Sequence, residues 1–192
     1  MELRVQAVPP VGEGRCLLSY LQGVIPCSRS RIRDDRRLHR QGSPPWAGRK
    51  GGTQGQAIGR SAGGLTTKIL ATADAFGNLI DFRLLPGQAQ DLRGTAGLIE
   101  GLNCGRLLAD RAFDADWLRD ALIGRGIEPV IPPKSNRRFP PAFDREVYKW
   151  RHLIENLFGK LKEYRGIATR YCKTDTSFAA FIAIRAVVIR TA

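Results

Sequence analysis

The chain has 192 residues, with 31 Lys or Arg against 18 Asp or Glu and a formal charge of +13. That length supports one domain with a real core. The charge points to a polyanionic partner, either nucleic acid or an acidic membrane surface. No apolar run reaches the roughly 18 residues of a membrane span; the most apolar stretch, FAAFIAIRAVVI, is interrupted by Arg185. The N-terminal MELRVQAVPP has no signal-peptide pattern, so the chain reads as cytosolic. Cys16, Cys27, Cys104 and Cys172 are scattered without a C-x-x-C pair, a spacing that argues against zinc and disulfides.

The first fifty residues differ from the rest. Arg29, Arg31, Arg33, Arg36, Arg37, Arg40, Arg49 and Lys50 crowd a segment without periodicity, broken further by Pro44-Pro45. Little apolar surface is available there to offset ordering entropy, so residues 1–50 are expected to be largely disordered. A Gly-rich lead-in follows from Gly51. Thr66 to Ala73 and Leu79 to Leu85 read as strands, joined at Gly77-Asn78 by a hairpin turn. Asp91 is placed to cap a helix through about Glu100. Arg106 to Ala109 is a short buried strand ending at Asp110. Asp114 is placed to cap a helix to about Arg125, with Gly126 as its stop. Glu128 to Ile131 reads as a strand closed by Pro132-Pro133, and the basic, Pro-rich KSNRRFPPAF as a loop. A long helix from about Asp144 to Tyr164 and a last one from near Thr176 complete the chain. After the hairpin, strands and helices alternate, which predicts an α/β fold with a mixed sheet flanked by helices.

The long helix carries the strongest chemical signal. Tyr148, Arg151, Glu155 and Lys162 read Y-x2-R-x3-E-x6-K. At about 100° per residue they fall within an arc of roughly 60°. Val147, Trp150, Leu153, Ile154, Leu157 and Leu161 fall opposite, on a face built for a core. A carboxylate on a stiff helix, flanked by cations and a phenol, suits a divalent metal beside a phosphate backbone. An ordinary solvated helix face also carries such charges. Asp110, just past an apolar strand, stands where open α/β sheets place their sites. It could meet Glu155 there and share a Mg²⁺ or Mn²⁺ by oxygen ligation, or it could simply cap the next turn.

The stretches GRSAGGLTTKI, DAFGN, LLPGQAQD, LLADRAFDADWLR, VIPPKSNR and YKWRHLIENLFGKLKEYRGIATRY together resemble transposases of the insertion-sequence 5 family, of the DDE class. The resemblance covers residues 51 to 192. It implies an RNase H-like fold and Mg²⁺-dependent (or Mn²⁺-dependent) cutting and joining of DNA ends, in a bacterial, nucleoid-associated protein. It makes Asp110 and Glu155 the second and third acids of a catalytic triad and metal site. Tyr148, Arg151, Lys162, Lys160, Arg137 and Arg138 become the residues that hold DNA. The implied partners are element ends and target DNA, further copies of the chain on paired ends, and an upstream frame product where two frames are joined.

The chain departs from the family at its first acid. No apolar strand ending in Asp-Gly or Asp-Ser precedes the lead-in, and the adjacent Asp34-Asp35 lies among arginines. Read one nucleotide later, codons permitted for Ser28 to Lys50 spell an alternating strand with Asp-Gly, with Arg36 at the place of the missing Asp. The expectation is therefore a truncated or frame-displaced domain that lacks its first central strand and is weakly active or inactive alone. The alternative is a non-catalytic DNA-binding protein that modulates an intact transposase.

Overall fold

The computed structural model describes the backbone of residues 16–26, 56–61 and 64–191, with side chains for 56–60 and 65–191. The expected disorder of residues 1–15 and 27–50, and Asp34-Asp35 with it, lies outside the described residues. A six-stranded sheet forms the middle layer. Its first strand, β1 (Cys16–Pro26), pairs antiparallel with β3 (Gly64–Ala73) and parallel with β5 (Cys104–Ala109). Beyond β3 lies the antiparallel β4 (Leu79–Pro86), while the short β2 (Gly59–Ser61) pairs with the start of β3. Beyond β5 lies the parallel β6 (Glu128–Val130). The order β4-β3-β1-β5-β6, with β3 alone reversed among these five, is that of an RNase H-like sheet.

The central strand is thus present, against the expectation that it would be missing. The apolar run CLLSYLQGVIP lies upstream of the arginine-rich segment and fills the place. A search for a strand ending in an acid passes over it. Without it, β3 and β5 would face each other with unpaired backbone groups.

Two cores lie on opposite faces of the sheet. Leu70, Leu107, Ala109 and Ile131 pack with Leu98 and Ile99 of α1 (Thr95–Ile99) and Leu118 and Leu122 of α2 (Asp116–Ile123). On the other face Ile69, Ala71 and Ala73 meet Ile154, Leu157, Phe158 and Leu161 of α4 (His152–Lys162). Phe178 and Ile182 of α6 (Asp175–Thr191) complete that core, with Ile167 of the short α5 (Arg165–Ala168). The alternation of residues 69 to 73 between the two cores is the period-2 pattern of a strand buried on both faces. Each fully buried Leu, Ile or Phe contributes about 1.5–3 kcal/mol.

Several local expectations shift. Asp91 starts no helix; its carboxylate pairs with Lys68 at 2.9 Å, and α1 begins only at Thr95. Asp114 is not the cap of α2, whose N-cap is Ala115. The hairpin turn forms as expected. Asp74 accepts from the backbone N–H groups of Phe76 and Asn78, both at 2.9 Å, and Gly77 adopts φ 81°. The left-handed backbone there requires Gly or its near equivalents.

Candidate functional site: two acids bridged by an arginine

The long helix is not continuous. Asp144 caps α3 (Arg145–Tyr148), its Oδ1 accepting from the N–H groups of Glu146 and Val147. Residues 149–151 then tighten into a 3₁₀ turn before α4 begins at His152. Arg151 is the last residue of that turn. Ile154, Leu157 and Leu161 are buried as the apolar face requires, whereas Val147, Trp150 and Leu153 are half-buried.

Asp110 directly follows β5 and serves two purposes. Its Oδ1 accepts from Arg111 N–H at 2.7 Å, capping a 3₁₀ turn over residues 111–113. Its Oδ2 lies 3.9 Å from Nη1 of Arg151. The other arm of the same guanidinium, Nη2, holds Glu155 Oε1 at 2.6 Å. Arg151 therefore stands between the two acids, three-quarters buried, while both carboxylates are about half exposed (49% and 46%). Its guanidinium also lies 5.6 Å from the Tyr148 ring, and Phe143 meets that ring edge-on. Burial pushes the Tyr148 phenol up; the Arg151 charge opposes this, and the charge and hydrogen bond of Asp110 add to the rise.

The remaining expected residues divide. Lys160 and Lys162 are exposed on α4, and Arg138 is exposed with its guanidinium over the Phe139 ring. Arg137 is committed elsewhere: Nε holds Asp114 at 2.5 Å and Nη1 holds Asp116 at 2.6 Å. Asp114 is buried and also accepts from Arg119 Nε and Lys134 N–H, both at 2.8 Å. Burial alone would raise the Asp114 carboxyl, but the bonds from Arg137, Lys134 and Arg119 prevail and hold it at about 2. This knot fastens the basic loop 132–143 to the segment that follows Asp110. Sequence reasoning missed it because Asp114 resembles a helix cap. Arg111, whose charge also reaches Tyr148, was likewise passed over although it adjoins Asp110.

Among the described residues no group of three His, Cys, Asp or Glu could hold a metal ion. Two carboxylates with a guanidinium already between them do not fit the two-cation centre that in-line phosphodiester chemistry uses. The pairing Tyr20↔Ala109 makes position 21 the next in register, beside Asp110, and the sequence has Leu21 there. Position 21 also pairs with Ala71, which belongs to the α4 side of the sheet. β1 contains no acid.

A family model described as "Transposase DDE domain" matches residues 31–141, more than half of the chain, and a second of the same description matches residues 107–191. The chain belongs to the DDE transposase family. The first match begins at residue 31, inside the arginine-rich segment, so it crosses the boundary at residue 50 drawn from composition. A Brucella ovis protein, a candidate transposase for insertion sequence element IS6501, is 39% identical over 128 residues, covering 65% of this chain and 98% of that one. Among solved structures, this DDE domain is similar to the piggyBac transposase synaptic complex with hairpin DNA (16% identity, TM-score 0.37). That similarity covers 64% of this chain and 24% of the other. It is also similar to the Mos1 transposase paired-end complex with left transposon end (13% identity, TM-score 0.35), over 75% and 53% of the two chains. The domain thus spans about a quarter and about half of these two transposases. DDE transposase domains generally depend on divalent metal. No described helix is long and apolar enough to cross a membrane.

Proposed function

We propose that this chain is the DNA-handling domain of an insertion-sequence 5 type transposase that retains two catalytic acids, Asp110 and Glu155, and lacks the first. Alone, it binds DNA without cutting and joining it. The observation that carries this reading is Arg151, which spans the two acids and takes the place of the cation they would otherwise share. Divalent metal, Mg²⁺ or Mn²⁺, supplies charge neutralisation on the attacking and leaving oxygens when a full acid set is present. A guanidinium neutralises the two carboxylates but offers no open coordination position for an oxygen nucleophile.

The roles of the other residues follow from their surroundings. Lys160, Lys162 and Arg138 keep exposed cations for phosphate, and Tyr148 fixes the Arg151 guanidinium from its ring face. Arg137 is assigned to loop anchoring in place of phosphate binding, because its guanidinium already meets Asp114 and Asp116. The partners are DNA ends and target, with further copies of the chain on paired ends. The missing acid would come from an upstream frame product or from a repaired frame. The family match from residue 31 favours an in-frame segment; the nucleotides encoding Ser28 to Gly52 decide between the two.

The test uses the full chain on duplexes carrying the sequences that flank its own gene, with Mg²⁺ and with Mn²⁺. Salt-sensitive binding without metal-dependent nicking is expected. Strand transfer abolished by Asp110→Ala would refute the inactive state, and failure to bind any duplex would sink the DNA reading itself.

A further inference from the structure

One face of α6 is buried and the opposite face is bare. Phe178 and Ile182 are fully buried in the core shared with α4, and Ile189 packs against it. On the outward side Ile184, Val187 and Val188 are 60%, 62% and 41% exposed. Ser177, Ala180 and Thr191 are exposed with them. Ser177, Ala180, Ile184, Val187 and Thr191 follow one another at intervals of three, four, three and four residues. That is the a/d repeat by which helices pair. No charge falls within this stripe: Arg185 and Arg190 stand about 100° and 120° round the helix from Ile184, on opposite sides. Neither the two-acid site nor the basic loop uses the face. An uncharged apolar stripe on a long helix, in a chain of +13, marks a contact surface.

The stripe is complementary to itself. In an antiparallel pair centred on Ile184, residues equally far from 184 on either side face one another. Ile184 meets Ile184 of the second copy. Ala180 faces Val188, small against large, which lets the helices approach without a void. Ser177 faces Thr191, and both hydroxyls are already engaged in their own helix. Thr174 Oγ1 donates to Ser177 Oγ at 2.8 Å, and Thr191 Oγ1 donates to the Val188 carbonyl at 3.1 Å. Arg185 falls opposite Ala183 and Arg190 opposite Phe178, so no like charges of the two helices meet. A phosphate backbone or an acidic helix would find no cation within the stripe.

We infer that two copies of this chain pair through α6, antiparallel and two-fold about Ile184, in the absence of DNA. The stripe is roughly 21 Å long and about 10 Å wide, which places the contact at the small, reversible end of protein interfaces. The inference stands independently of the DNA reading. It gives the copies invoked there a contact that forms before DNA binds.

The experiment is sedimentation equilibrium of the full chain without DNA, over about 1–100 µM and at low and high salt. The mean mass should rise from one chain towards two with concentration. The rise should be steeper at high salt, because screening relieves the repulsion between two copies of +13. Ile184→Lys and Ile184→Glu each set like charges against one another at the two-fold and should weaken the dimer by at least about tenfold. Mixing these two variants should give a pair tighter than either alone. Because Ile184 is exposed, both should melt like the parent. Ala180→Lys mixed with Val188→Glu should likewise associate better than either alone, and failure of that mixture would overturn the antiparallel register. A monomer throughout, a dimer that survives both Ile184 substitutions, or Lys and Glu variants that stay apart on mixing would overturn the inference. Each of these results leaves the DNA reading intact.

Discussion

Removing the Asp114 carboxylate should loosen the candidate DNA loop and lower stability together. Asp114 has a fully buried side chain and takes three donors: Arg119 Nε at 2.8 Å, Arg137 Nε at 2.5 Å and Lys134 N–H at 2.8 Å. Arg119 is 8% exposed and also donates from Nη2 to the Ile131 carbonyl at 2.7 Å. Asp114→Ala therefore leaves a buried guanidinium without its counter-charge, a change that costs about 3–5 kcal/mol. Arg137 is less affected, because it keeps the exposed Asp116 at 2.6 Å. The pH dependence gives an independent measure. The Asp114 pKa is about 2, against 3.8 for an ordinary aspartate, which corresponds to about 2.5 kcal/mol of linked stability. A lowered folded-state pKa means that this contribution is complete above about pH 4 and is lost as the pH falls towards 2. Urea unfolding followed by circular dichroism at pH 7, 4, 3 and 2 measures both quantities. Asp114→Asn should flatten the acid limb of the curve. A cost below about 1 kcal/mol for Asp114→Ala, or an unchanged acid limb in Asp114→Asn, would refute the claim that this carboxylate fastens the loop.

Other substitutions separate the parts of the site. Arg138→Ala should reduce the salt dependence of DNA binding by about one phosphate contact at unchanged melting temperature. Arg137→Ala should do the reverse and lower the melting temperature with little change in salt slope. Gly166→Ala should destabilise by about 1–3 kcal/mol in urea, because a Cβ there would stand 2.6 Å from Phe181 Cε1. The Tyr148 phenol, isolated by subtracting the ultraviolet titration of Tyr148→Phe, should ionise above an ordinary tyrosine. It should fall in Asp110→Asn, because the Asp110 charge and hydrogen bond raise it, and rise further in Arg151→Gln, because the Arg151 charge lowers it.

The legibility of this chain follows the range of the interactions involved. The hairpin at Gly77-Asn78, the strand before Asp110 and the start of a helix at about Asp144 are readable because each depends on a few adjacent residues. Asp91 and Asp114 were misread for the complementary reason. Both look like caps locally, and each is claimed by a distant cation, Lys68 for one and Arg119 with Arg137 for the other. The central strand was overlooked because its partners lie some forty to ninety residues away, at Thr66–Ala73 and Cys104–Ala109. Asp110 and Glu155 could be nominated from the sequence. The Arg151–Glu155 pair is an i,i+4 contact that a helical wheel contains, whereas the approach of Asp110 to Arg151 depends on how β5 docks beside the helix, which it does not.

The Arg151 bridge lets two neighbouring carboxylates stand together in a folded domain. Two carboxylates at the end of a sheet repel one another, and a bound cation ordinarily offsets the repulsion. Arg151 supplies the offset internally, through one short contact to Glu155 and one longer contact to Asp110. The unequal distances matter. Glu155 is held by a close i,i+4 pair within its own helical segment, whereas Asp110 is steadied by its cap to Arg111 N–H and by Tyr148. The apo domain can therefore keep its acids in place with no metal bound. A third carboxylate at position 21 would change the balance, adding a negative charge that one guanidinium cannot neutralise. Leu21→Asp should then raise affinity for Mn²⁺, read by calorimetry or by the paramagnetic signal of the ion. In the same variant, Arg151→Ala should strengthen metal binding further. If Leu21→Asp leaves Mn²⁺ affinity at the parent's level while the domain stays folded, the register of β1 against Asp110 does not place a third acid at the site.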